Sequence, residues 1–173
     1  MRFGVRIAAS AERGKRAARR SGMTEWRIGT AGWAIPRSVA DEFPTEGSVL
    51  ERYAARLNAA EINSSFHRSH RPATYERWAA SVPADFRFAV KLPKAITHIR
   101  RLVQCADDLA AFATEIAPLE PRRGPVLVQL PPSLAFDIGS ADRFFAEARA
   151  ALGGGSPASP GTPAGSRPRR TAS

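Results

Sequence analysis

The chain has one cysteine, two methionines, two tyrosines and three histidines in 173 residues. The single cysteine, Cys105, excludes an internal disulfide and fits a reducing, cytoplasmic compartment. As a nucleophile it would need a base, and His98 is near it only in sequence. Long apolar runs are also missing: none approaches the ~20 residues that span a bilayer, so no membrane role is expected. The N-terminus is rich in Arg and Ala without the apolar core of a secretory signal. A dinucleotide fingerprint is lacking too, because Gly29-Thr30-Ala31-Gly32 offers only G-x-x-G. No repeat is visible beyond an alternation of strands and helices, and no cofactor or bound metal is implied.

Acids are scarce as well, 16 against 26 Lys and Arg, which gives a net charge of +10. The excess is unevenly placed. Residues 1–22 hold seven Arg or Lys against Glu12 alone, and Arg167, Arg169 and Arg170 lie in residues 153–173. The body between is nearly neutral, whereas a nucleic-acid footprint belongs on the folded domain as a basic stripe. The tails could touch polyanions weakly and in a salt-dependent way. A nucleic-acid partner is therefore not the leading expectation.

Three segments are expected: a basic, disordered extension over 1–22, a folded body over 23–152, and a Gly/Pro/Ser-rich disordered tail over 153–173. Met23 is an alternative start. Within the body, Trp26–Thr30 reads as a first strand. Ser48 with Glu51 forms a capping box that opens a helix, with Leu50, Tyr53, Ala54 and Leu57 on one face and Asn58 as the stop. Ala60–Ser64 reads as a second strand, with period-two alternation placing Glu61, Asn63 and Ser65 on one side. Thr74 to Ala80 is a short helix ended by Pro83. Phe86–Leu92 is a third strand. Asp107 caps a helix carrying Leu109, Phe112, Ala113 and Ile116. Val126–Leu130 is a fourth strand, its apolar run suiting a parallel sheet covered on both faces. Ser140 caps a last helix with Phe144, Phe145, Ala148 and Leu152 inward and Gly153 as its end. Four strand–helix units imply an α/β fold with right-handed crossovers. Polar residues at the strand ends favour (β/α)-barrel units over an open doubly wound sheet.

Several stretches carry a resemblance. Ile28-Gly29-Thr30-Ala31-Gly32-Trp33, Glu61-Ile62-Asn63-Ser64-Ser65-Phe66, Trp78, Phe86-Arg87-Phe88-Ala89-Val90-Lys91, Thr97-His98 and Gln129-Leu130-Pro131-Pro132 together resemble the YecE-like family, domain of unknown function 72. The resemblance runs from about Arg27 to Leu152 and implies a TIM-barrel-like fold in a family of uncharacterised activity. One departure is the Phe66-His67 pair after the second strand, where the family's usual element is an aromatic pair. A full barrel has eight units and ~250 residues; four are present here, so the chain is expected to be a truncated half-barrel. Unpaired edges on the first and fourth strands, and a face without its opposite wall, predict self-association.

The candidate site follows from the strand ends. Glu61, Lys91 and His98 are the catalytic candidates: Glu61 as general acid or base, Lys91 as the cation for an anionic group, His98 as proton carrier. Thr30, Trp33, Asn63 and Gln129 are candidates for binding a small polar ligand. The structural alternative is a buried Glu61–Lys91 ion pair with amides satisfying strand ends. His67 and His70, with Glu61 and His98, have acceptable zinc-ligand chemistry, but Arg68 and Arg71 beside them disfavour a cation, and solvated loop histidines are expected. Trp33 and Trp78 read equally as packing residues. Ser64 and Ser65 show no convincing His/Asp pair for a nucleophilic triad.

Overall fold

The computed structural model describes residues 6–8 and 26–153. The expected disorder of the two tails otherwise falls outside the described residues, as do their basic side chains. One part of the N-terminal extension does join the fold: β1 (Arg6–Ala8) pairs antiparallel with β2 (Arg27–Ala31). The edge of β2, expected to be unpaired, is therefore occupied. Four parallel strands follow in sequence order, β2, β3 (Ala59–Ile62), β4 (Arg87–Lys91) and β5 (Arg123–Leu127). Each is followed by a helix: α1 (Val49–Ala54), α2 (Pro72–Ala80), α3 (Ala106–Ile116) and α4 (Ile138–Leu152).

Local chemistry explains most element ends. Ser48 and Glu51 form the expected capping box, Ser48 Oγ accepting from the Glu51 N–H and the Glu51 carboxylate from the Ser48 N–H at 2.7 Å. These bonds hold the Glu51 carboxyl below its ordinary pKa. Helix α1 stops at Ala54, earlier than Asn58. Asn58 instead bridges to the first parallel strand, its Oδ1 accepting from the Ile28 N–H and its Nδ2 donating to the Trp26 carbonyl, both at 2.9 Å. The amide thus stands in for a strand neighbour where β2 begins. Pro72 opens α2, needing no N–H in the first turn. Asp137, rather than Ser140, caps α4 by accepting from the Ser140 N–H at 2.7 Å. Helix α3 starts at Ala106, so Asp107 lies in its first turn. There it favours the helix electrostatically without capping it.

The core lies between the sheet and the helices. Ala60, Ile62, Phe88 and Val90 are buried from the strands, and Tyr53, Tyr75, Leu109, Phe112, Ile116 and Phe144 meet them. Phe145 is 40% exposed, so the inward face of α4 is narrower than its apolar sequence. The alternate strand residues point to the other side. They line a cavity of about 440 Å³ built from strand residues alone, including Arg27, Gly29, Ala59, Glu61, Ala89 and Leu127.

Two strand boundaries differ from the periodicity. The fourth strand is Arg123–Leu127, three residues earlier than Val126–Leu130, because it pairs Val90 with Val126 and Lys91 with Leu127. Val128 and Leu130 are apolar but lie beyond Leu127, which pairs with Lys91 at the end of β4. The second strand ends at Ile62, since Asn63 turns at φ −80 and ψ −22 into a 3-10 turn over Ser64–Phe66.

At Gly29 the backbone of β2 runs close against Ala59 of β3. A Cβ there would lie 2.0 Å from the Ala59 carbonyl oxygen. Gly29→Ala should therefore separate β2 from β3 and destabilise the fold by about 3 kcal/mol. Urea denaturation checks this, and an unchanged midpoint would refute it.

Candidate functional site

Beyond the ends of β3 and β4 the chain makes two tight turns, and their residues build the site. Ser65, buried in the first turn, donates toward the Ile62 carbonyl at 2.8 Å and the Lys91 carbonyl at 2.6 Å. One hydroxyl thereby ties together the C-terminal ends of the two strands. Glu61's carbonyl accepts from the N–H groups of Gly32 and Asn63 at 2.8 and 3.0 Å, drawing the loop after β2 to the same place.

Glu61 and Lys91 lie on the sheet side that carries the cavity, and each is only 7% exposed. Lys91 Nζ donates to Asn63 Oδ1 at 2.9 Å and sits 4.3 Å from the centroid of the Phe66 ring. Such a cation–π contact returns part of the hydration an ammonium loses on burial. His98, in the turn after β4, meets the edge of the same ring at 5.0 Å and shares a 2.9 Å hydrogen bond with Thr97 Oγ1. Asn63, Lys91 and His98 therefore gather around Phe66. Asn63 reaches Lys91 through the turn, not through the strand alternation expected of it.

The other candidates are placed elsewhere. The Thr30 N–H donates to Tyr53 OH at 2.8 Å and its hydroxyl to the Gly32 carbonyl at 2.7 Å, a packing role between β2 and α1. Trp33 packs edge-on against Trp78 and Phe88, with centroids 5.1 and 6.0 Å apart. Gln129 is exposed in the loop two residues beyond β5, because that strand ends early. Cys105 is buried, and burial raises its thiol pKa, leaving it less of a nucleophile.

Two features escape a reading of the sequence. Phe66 is the hub of the cluster, but an aromatic after a strand is ambiguous between core and site. His70 is not a solvated loop histidine. Its Nε2 shares a 2.8 Å hydrogen bond with Ser64 Oγ, and its ring packs against Tyr75 and Trp78. The pairing of Ser64 with a histidine six residues on is unreadable in advance, because it depends on how the turn folds back. His67 stays exposed against Phe66. Among the described residues, no group of three or more His, Cys, Asp or Glu is arranged to hold a metal ion. No described helix is long and apolar enough to cross a membrane.

The parallel sheet with its helices is the (β/α) arrangement of a TIM-barrel-like protein, and solved structures agree. A DUF72 family protein from Enterococcus faecalis V583 aligns with a TM-score of 0.57 and 21% identity, over 72% of this chain and 46% of that one. Another from Thermotoga maritima MSB8 gives 0.54 and 22%, over 70% and 50%. At that identity they speak for the fold alone. The family model described as "Protein of unknown function DUF72" matches residues 27–152, and the chain belongs to that family. It is also 35% identical over 104 residues to the UPF0759 protein YecE of Escherichia coli (strain K12). That match spans 60% of this chain and 37% of its relative.

Burial, and then the charge of Arg68, lower the His70 pKa below its ordinary 6.5, with Glu115 opposing. The unfolded chain therefore binds the His70 proton more readily than the native one. The contribution is fully present above the unfolded pKa and is lost as pH falls through the native one. Chemical denaturation should show stability falling as the pH drops below the ordinary histidine value of 6.5. His70→Gln, which can keep a bond to Ser64, should flatten that slope; an unaltered slope would assign it to other groups.

Proposed function

We propose that the ends of β3 and β4 bind a small, polar, anionic ligand and support acid–base chemistry on it. The carrying observation is the buried Lys91 ammonium, held by Asn63 and Phe66 at the end of β4, next to the strand whose Glu61 lines the cavity. Lys91 is the cation for the anionic group, Asn63 orients it, Glu61 is the acid or base, and His98 carries protons at the rim. Thr30 borders the cavity, while Gln129 and Trp33 lie outside its lining and are left out of the proposed site. Catalytic groups of barrel folds collect at this end of the strands, although fold alone does not choose a substrate. Thermal shift against a library of phosphorylated and carboxylated metabolites tests the proposal. An anion that stabilises the wild type should lose its effect in Lys91→Met and bind about tenfold more weakly in Asn63→Ala. Asn63 is only half-buried, which keeps the second variant informative if the first does not fold. Equal shifts in folded variants would remove these residues from the site.

A second reading concerns association. The outer edge of β5 has no strand partner among the described residues, and the cavity face carries Ala59, Ala89 and Leu127 without a helix over them. We infer that a second copy covers this face, since both an open edge and an apolar face favour pairing. Size-exclusion chromatography with light scattering should show a dimer that Leu127→Lys dissociates. A monodisperse monomer with a sharp cooperative melt would sink this reading.

A further inference from the structure

Phe66 also lines a recess of about 270 Å³ between the turns after β3 and β4 and the flank of α3. Its floor is apolar, made by Pro93, Ile96 and Phe112, and its rim carries the exposed cations Arg68 and Lys94. Two acids also border it, and both are engaged. Asp108 pairs with Arg100 at 2.5 Å, and the Glu115 carboxylate accepts the Ser69 hydroxyl. Glu115 keeps its charge, and with Arg100 set against Asp108 the recess is bordered by one more positive charge than negative. Phe66 is common to both places: its ring lies 4.3 Å from Lys91 Nζ and also walls the recess. One half-buried ring thus contacts a buried cation and borders a recess rimmed by two exposed ones.

We propose that the recess is a second anion subsite, so that the ligand is elongated, with an anionic group at each end and a short carbon skeleton between. This rests on the reading of Lys91 as the first anion site. One terminus meets Lys91 and Asn63, the skeleton crosses Phe66 onto the apolar floor, and the other terminus meets Arg68 and Lys94. Phosphate and carboxylate ends share this chemistry: arginine engages either through paired N–H donors and lysine as a point charge.

Titration calorimetry of the full chain with fructose 6-phosphate, fructose 1,6-bisphosphate and adipate tests the proposal. At least one two-ended anion should bind ~10-fold or more tightly than the one-ended phosphate, as expected for an added charged contact. Whether the bisphosphate or the dicarboxylate shows the gain identifies the terminal group. The exposed pair Arg68→Ala with Lys94→Ala should erase the gain and leave the monophosphate affinity unchanged. Lys91→Met should weaken all three. A monophosphate that binds through Lys91 without a gain from either two-ended anion overturns the second subsite alone. Loss of monophosphate binding in the Arg68/Lys94 variant also overturns it. Binding of all three that is indifferent to Lys91, or no binding by any, overturns both readings.

Discussion

The arrangement depends on a carboxylate and an ammonium buried on adjacent strands, on the side of the sheet that carries the cavity. Glu61 and Lys91 are each more than nine-tenths buried, and ions removed from water cost several kcal/mol apiece unless polar partners replace it. The nearby features are of the kind that reduces this cost. Asn63 turns out of the strand so that its amide oxygen accepts from Lys91, and Phe66 offers its π-face to the same ammonium. Ser65 holds the turn that carries both of them, using one hydroxyl against two strand-end carbonyls. A local 3-10 turn, a polar clamp and a placed aromatic all serve one buried cation.

The opposite face of the sheet obeys a simpler rule. Ala60, Ile62, Phe88 and Val90 alternate with the site-facing residues and enter a helix-covered, largely apolar core. The two faces therefore divide the work: one supplies hydrophobic stabilisation roughly in proportion to buried area, and the other holds the charges. The division is strict because a strand has period two. Gly29 shows how little slack the frame has, since β2 and β3 approach too closely there for any side chain.

Much of the frame is legible in the sequence because it is written locally. The capping box needs only Ser48 and Glu51, the helix faces only their spacing, and Pro93 is enough to close β4. Sequence and structure part where a distant partner decides. The fourth strand shifts because hydrogen bonding to β4, not apolarity, sets where Arg123–Leu127 pairs, and this takes Gln129 out of the sheet. Asn58 has the look of a helix stop but serves as a bridge to β2. For the site, Lys91 and Asn63 stand out as polar residues at strand ends, and they do meet. Phe66 and the Ser64–His70 pair do not stand out, since a turn's direction leaves no periodic trace. The paired edge of β2 is equally hidden, because β1 comes from a segment whose composition reads as a solvated tail.

These placements also bear on what the chain can do at its own length. It spans about 37% of the curated relative it matches and about half of the solved DUF72 chains. A site assembled from across a closed barrel would also draw on strands beyond those described. The cluster described draws instead on β3, β4 and the turns that follow them, which adjoin through a parallel ladder and the Ser65 clamp. Its geometry rests on contacts close in sequence or directly across one strand pair. The proposed recognition of an anion therefore rests on one strand pair and the turns that follow it, joined by the Ser65 hydroxyl.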